Sequence, residues 1–193
     1  NRTHKKTKVM LEKIIAIDKD LMVFLNGLGS EAFDGFWLII TKQVYWTPFF
    51  ILVFYFLAKK IGWKNFLIAL VFIALLILVS DQTSNFFKNH FQRLRPCNDL
   101  DLKSIIRIVK PSDSYSFFSG HATNSMATTV FVFLIIRRYY KYALLLFLFP
   151  LIFAFSRIYL GLHFPTDILT GYAFGATFGF VFYKIYQKYI LKD

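Results

Sequence analysis

Five stretches of the chain carry no acidic or basic side chain apart from one histidine: residues 43–58, 65–80, 114–136 (with His121), 142–156 and 168–183. A helix that crosses a bilayer needs about 20 mostly apolar residues, and several of the runs reach that length only by borrowing flanking aromatic or single polar residues. Residues 67–79 and 143–155 are apolar all round, so a helix there has no polar face to offer water. That argues against a water-soluble helical bundle with a rich core. A hydrophobic share of 56% and an aromatic share of 20% agree. The expected fold is an all-α polytopic transmembrane bundle of five to six spans, in a single domain over residues 1–193.

The N-terminal part is harder to assign. Residues 1–20 are polar and basic, with Met10 a candidate native start and the nine residues before it carrying no functional weight. Residues 21–41 mix apolar side chains with Asn26, Ser30, Glu31 and Asp34, a costly set for a bilayer centre. An amphipathic segment in the membrane interface is the expected form, with a sixth span as the alternative.

The net charge is +12, from 23 basic and 11 acidic residues. Such a balance can signal nucleic acid, but the placement of the charges points to a membrane surface. Lys59, Lys60 and Lys64 form one cluster, Arg137, Arg138 and Lys141 a second, and Lys184, Lys188 and Lys192 a third. Five alternating spans put all three on one side, which the positive-inside bias makes cytoplasmic. Membrane lipids, and no nucleic acid, are the expected partners. A second basic set, Lys88, Arg93, Arg95, Lys103, Arg107, Lys110 and Arg157, falls on the opposite side against that bias and needs a separate reason. Cys97 is the single cysteine, which excludes an internal disulfide, a thiolate metal cluster and a redox pair. It reads as a small buried residue.

Three polar groups lie at the outer ends of the spans. In KNHFQRLRP, residues 88–96, Lys88 and Arg95 are seven residues apart, two turns along one helical face, before Pro96 stops the helix. Alone, this pair equally describes basic side chains reaching for lipid headgroups. In SFFSGHATNS, residues 116–125, Ser119 suits a helix N-cap and Gly120 lets backbone N–H groups approach a ligand. A helix N-terminus attracts anions, and His121 stands beside it as a proton donor or as an ordinary interfacial histidine. In SRIYLGLHFPTD, residues 156–167, Pro165 opens a helix and Asp167 lies in its first turn. Asp167 can there orient His163 as a nucleophile, with Arg157 nearby for an anion; an Arg157–Asp167 ion pair with a bystander histidine remains the alternative.

Together the three groups gather Lys88, Arg95 and Arg157, two histidines, an aspartate and a helix N-terminus on one face. That set suits phosphate, which arginine binds bidentately, and two histidines in different surroundings can divide attack from leaving-group protonation. The series Lys88-x6-Arg95-Pro96, Ser119-Gly120-His121, Ser156-Arg157-x5-His163-x3-Asp167 resembles the three-part signature of the type 2 phosphatidic acid phosphatase superfamily, in order and spacing over residues 88–167. The resemblance implies a helical membrane enzyme that removes phosphate from lipid phosphates or diphosphates without a metal or other cofactor. It makes His163 the nucleophile that forms a phosphohistidine, Asp167 its orienting partner and His121 the acid for the leaving group. Lys88, Arg95, Ser119, Gly120 and Arg157 would hold the phosphate, with Asp81, Asn85 and Ser156 in support and Asp81 placed to steady Lys88. One departure is Phe118, where the family often has proline, expected to alter loop shape only.

The expected function is a lipid phosphatase of a bacterial-type inner membrane with its site on the outer side and undecaprenyl diphosphate as substrate. Lipid A and phosphatidylglycerophosphate would need the same site. Two other classes compete: a protein that binds or translocates lipid phosphates without chemistry, and a structural or signalling subunit with no site.

Overall fold

The computed structural model describes residues 2–190; Lys192, counted in the third basic cluster, lies outside them, as do the ends of the domain drawn over residues 1–193. Seven α-helices follow one another: α1 (Arg2–Gly27), α2 (Asp34–Ile40), α3 (Thr47–Ile61), α4 (Trp63–Phe91), α5 (Gly120–Ile136), α6 (Leu148–Tyr159) and α7 (Pro165–Tyr189), with no strand among the described residues. Single 3-10 turns at Gln43–Trp46, Pro96–Asn98 and Ala143–Phe147 extend or link them.

The five apolar runs become α3 to α7. The segments Gln43–Ile61, Trp63–Asn98 and Pro165–Tyr189 are long and apolar enough to cross a membrane, whereas Gly120–Ile136 and Ala143–Tyr159 are shorter. The 17 residues of α5 span about 25 Å, less than the roughly 30 Å of a hydrocarbon core. Gly120 in its first turn lies against Ser84, seven residues before the end of α4 at Phe91, so α5 begins below the end of α4. The chain is a multi-pass membrane protein.

Loop contacts fix which ends lie together. Tyr186 near the end of α7 donates its hydroxyl to the Asn65 carbonyl at the start of α4 (2.7 Å), and Lys60 stands over the Tyr140 ring (5.6 Å). The described members of the three lysine and arginine clusters thus share one end of the bundle. At the other end, Cys97 N–H bonds the Gly161 carbonyl (3.1 Å) and Ser119 N–H the Asp167 carbonyl (3.1 Å). Cys97 is buried there, as expected.

The pair α5 and α7 forms the centre of the bundle. Glycines at 171, 175 and 179, one turn apart on α7, face α5: a Cβ at Gly175 would meet the Thr123 carbonyl oxygen at 2.4 Å, and one at Gly179 the Ala127 carbonyl oxygen at 2.5 Å. Only glycine allows that backbone approach, and it sets the first turn of α5 against the first turn of α7.

Residues 21–41 do not form one element. The helix begun at Arg2 continues through Met10 to Gly27, a turn follows, and α2 has only 7 residues, too short to cross a bilayer. The chain breaks there because Asn26 turns inward. Its amide donates to the Arg107, Ile158 and Tyr159 carbonyls (3.1, 3.1 and 2.9 Å), and its carbonyl oxygen accepts the Arg107 N–H (2.7 Å). Along α1, Met10, Ile14, Ile17, Leu21 and Phe24 are exposed while Asp18, Met22 and Asn26 are buried. This apolar outer stripe fits the amphipathic expectation. The helix nevertheless starts well before residue 21, inside the segment set aside as polar.

Candidate active site

Each of the three polar groups is placed by a different local device. In the first, α4 ends at Phe91 because Gln92 adopts a left-handed conformation (φ 48°, ψ 33°) and returns its N–H to the Lys88 carbonyl. Lys88 is thus in the last turn of α4 while Arg95 is extended, in the conformation favoured before a proline. The two do not share a helical face, contrary to the spacing argument. The loop turns Arg95 inward instead. Its Nε and Nη2 donate to Ser114 (carbonyl 2.9 Å, Oγ 2.9 Å), and its Nη1 donates to the Leu162 carbonyl (2.8 Å).

In the second, Ser119 is the N-cap of α5 and its hydroxyl accepts the Ala122 N–H at 3.4 Å. Gly120 keeps the approach to α4 open: a Cβ there would stand 3.2 Å from Ser84 Oγ, 3.8 Å from Asp81 Oδ1 and 4.0 Å from Lys88 Nζ. The His121 ring stacks on Phe153 of α6, with centroids 5.1 Å apart. Phe118 is fully buried and stacks on Phe174 of α7 at 4.7 Å, so it ties the loop to α7 as well as shaping it.

In the third, α7 starts at Pro165, and the Asp167 carboxylate accepts the Phe164 N–H at 2.9 Å. The same Oδ2 lies 3.4 Å from His163 Nδ1. His163 Nε2 lies 3.0 Å from Arg95 Nη1. Because arginine only donates, Nε2 must present its lone pair, which leaves the ring proton on Nδ1 facing Asp167. His163 is 1% exposed. Burial, followed by the Arg95, Arg157 and Lys88 charges, holds its pKa well below the usual 6.5. The ring is neutral, with its Nε2 lone pair turned to Arg95.

Lys88, Arg95 and Arg157 form no salt bridge with a described residue, whereas Arg93 and Arg107 do. Arg157, buried, donates Nη1 to Thr41 Oγ1 (2.6 Å), and its Nε has no partner among the described residues. Three cations without an ion pair among the described residues, one with an unmet buried donor, suit an anion.

A cavity of about 340 Å³ reaches Lys88, Gly120 and His121 and is further lined by Asp81, Asn85, Asn124, Phe50, Phe149 and Phe153. His163, Arg95 and Arg157 lie outside this lining. Asp81 accepts the Asn124 amide (2.7 Å) rather than pairing with Lys88, and Ser156 returns its hydroxyl to the Phe153 carbonyl of its own helix (2.6 Å).

Several participants escaped the sequence reading. Arg93 bonds Asp167 Oδ1 (2.8 Å) and Asp18 of α1 (2.6 Å); Ser114, Thr41 and Asn124 hold Arg95, Arg157 and Asp81. Arg93 is one of three basic residues within eight positions, and the two serines or threonines are common types. Asp18 is one of three acids in α1, with Glu12 and Asp20, and does not stand out either.

Fold and site define a multi-pass helical membrane protein with a candidate anion site beside two histidines. The sequence profile of the PAP2 superfamily matches residues 65–191. The chain belongs to the PAP2 superfamily, and it is a lipid phosphatase of that type. It is similar to the lipid A 4'-phosphatases of Bacteroides thetaiotaomicron (33% identity, 93% of this chain and 81% of that protein) and Porphyromonas gingivalis (33%, 91% and 75%). Likeness to an undecaprenyl-diphosphatase of Sulfolobus acidocaldarius is lower (28%, 89% and 72%). The solved structure of a Bacillus subtilis PAP2-type phosphatidylglycerolphosphate phosphatase shares the fold at a TM-score of 0.70 and 17% identity, over 92% of this chain and 88% of that one.

Proposed function

We propose that the protein removes a phosphate from lipid A, an acylated and phosphorylated amino-sugar disaccharide, at a site on the outer face of a bacterial inner membrane. The observation that carries this reading is the 33% identity to lipid A 4'-phosphatases over 93% of the chain. The expectation of undecaprenyl diphosphate yields to it, since that likeness is 28%. The cavity supports the change: Gln43, Asn85, Asn124, Ser125 and Thr128 line it with amides and hydroxyls. These suit the hydroxyls of a sugar, whereas a prenyl diphosphate has none to offer.

In this reading Lys88, Arg95, Arg157 and the first N–H groups of α5 hold the phosphate, with Ser119 and Gly120 shaping the approach. Arg95 passes from His163 Nε2 to a phosphate oxygen as substrate enters. Nε2 attacks phosphorus, the bond to the sugar oxygen breaks, and that oxygen takes a proton from His121; the phosphate's own charge offsets the surrounding cations while His121 carries the proton. Asp167 holds Nδ1–H throughout. Water, deprotonated by His121, then releases phosphate from the phosphohistidine. The lysine and arginine clusters at the far end of the bundle support an outward-facing site through the positive-inside bias.

The test is phosphate release by detergent-solubilised protein on lipid A, undecaprenyl diphosphate and phosphatidylglycerophosphate, with products weighed by mass spectrometry. The expected outcome is the highest kcat/KM on lipid A, with loss of one phosphate from the sugar. A preference for undecaprenyl diphosphate would overturn the substrate, and no release from any lipid phosphate would leave a binder in place of an enzyme.

A further inference from the structure

The orienting carboxylate of the site is itself held by Arg93, at one of the unspecified positions between Lys88 and Arg95 in the three-part signature. Arg93 donates Nη1 to Asp167 Oδ1 (2.8 Å) and Thr166 Oγ1 (2.9 Å), and Nη2 to Asp18 Oδ2 (2.6 Å). Its guanidinium lies 3.9 Å from the centroid of the Phe164 ring. Asp18 accepts the Thr166 N–H on its other oxygen (2.9 Å) and the Thr166 hydroxyl on Oδ2 (2.5 Å). Its side chain is 2% exposed. A carboxylate buried on the N-terminal helix, 75 residues before Arg93, is a costly feature unless its charge is used.

We propose that Asp18 is a positioning residue for phosphoryl transfer, acting through Arg93 on Asp167 and His163. The inference rests on the phosphatase reading of the site. When Nε2 bonds phosphorus while Nδ1 keeps its proton, the imidazole ring gains a positive charge among Lys88, Arg95 and Arg157. Asp167 paired with Arg93 alone is neutral and does little to balance it. With Asp18 sharing the guanidinium, the trio carries one net negative charge, and Asp167 Oδ2 remains turned to Nδ1. Arg93 occupies Oδ1, so the carboxylate cannot rotate away. Asp18 thus stabilises the phosphohistidine and the transition state that leads to it, and leaves ground-state substrate binding alone.

The experiment measures phosphate release from lipid A dispersed in detergent micelles by the solubilised protein. Asp18→Asn is expected to lower kcat by roughly ten- to a hundredfold, the range for hydrogen bonds to charged groups, with KM within about twofold. Asp18→Glu recovers most of the lost rate. Asp18→Asn combined with Arg93→Lys is no slower than the slower single variant, because both break one path. Lys19→Ala, which removes the neighbouring ties to Asp99 and Asp101, lowers the thermal midpoint and leaves kcat in place. If Asp18→Asn does not survive solubilisation, Arg93→Lys decides alone: a fall in kcat at constant KM supports the path, and an unchanged kcat ends it. An unaltered kcat in Asp18→Asn, multiplying losses in the double variant, or an equal loss in Lys19→Ala would each overturn the inference. A wild-type protein that releases no phosphate would instead refute the phosphatase reading beneath it.

Discussion

The two ends of the α5–α7 pair are built on opposite principles. At the lysine-rich end, Phe72, Phe131 and Tyr186 meet edge to face or stacked, at 5.3 to 6.2 Å, and the Tyr186 hydroxyl has a carbonyl partner. At the other end, Asp18, Asp167, Arg95 and Arg157 are buried, while Arg93, Arg107 and Asp34 are about a quarter exposed. Arg93 and Arg107 are matched with Asp18, Asp167 and Asp34, while Lys88, Arg95 and Arg157 are left without carboxylates. Packing alone tolerates volume-conserving exchange at the first end, whereas at the second each charge either has specific ionic partners or lacks a carboxylate. Under the proposed function, pairing separates Arg107, tied to Asp34 and Tyr159, from the three cations left for a phosphate.

The sharpest way to break this contrast is to remove the nucleophile without disturbing packing. His163→Asn is expected to reduce kcat about a thousandfold or more, with a thermal midpoint in detergent near that of the wild type. Phosphate release and thermal unfolding on the same preparation check both; a variant keeping a tenth of the activity would exclude His163 as the attacking group. Next, the unpaired and paired cations should part. Arg157→Ala is expected to lower kcat/KM by about 10²–10³, as for other donors to a developing charge, while Arg107→Ala, whose partners are Asp34 and Tyr159, changes it less than about threefold. Equal losses would mean that pairing carries no information about function. At the packed interface, Gly175→Val forces a side chain to within 2.4 Å of the Thr123 carbonyl and should cost about 1–3 kcal/mol or more in stability. Gly35→Ala in α2 meets nothing within 4 Å and should leave the midpoint unchanged.

The legible parts of this molecule are those where the bilayer acts as solvent. A run such as 67–79 has no polar face, so α4 could hardly be missed, and the ionisable groups in 156–167 stood out against apolar neighbours. Boundaries failed where a single backbone angle decided them. Nothing in KNHFQRLRP marks Gln92 as left-handed, so a helical period placed Lys88 and Arg95 on one face that the chain does not have. The break at Gly27 was hidden because Asn26 finds its partners in Arg107, Ile158 and Tyr159, distant in sequence. Asp18 and Arg93 were invisible as a pair for the same reason: each is an ordinary charged residue until α1 folds over the start of α7.

The smallest expected effect tests how dry the site is. In the unfolded chain His163 takes up a proton near pH 6.5; in the folded protein burial and three neighbouring cations keep it neutral well below that. Between those two values the unfolded state binds more protons, so the free energy of unfolding falls as pH is lowered through about 6.5. For one site, acidification from about pH 7.5 to 5.5 costs about 1 kcal/mol. His163→Asn removes that contribution, so its loss of stability over the same interval should be smaller than the wild type's by about that amount. Denaturant titrations of both proteins in one detergent at the two pH values measure the difference. A wild type and variant with parallel pH dependence would mean that His163 protonates as readily folded as unfolded, and the three unpaired cations would then have to lie farther from its ring than a shared phosphate site requires.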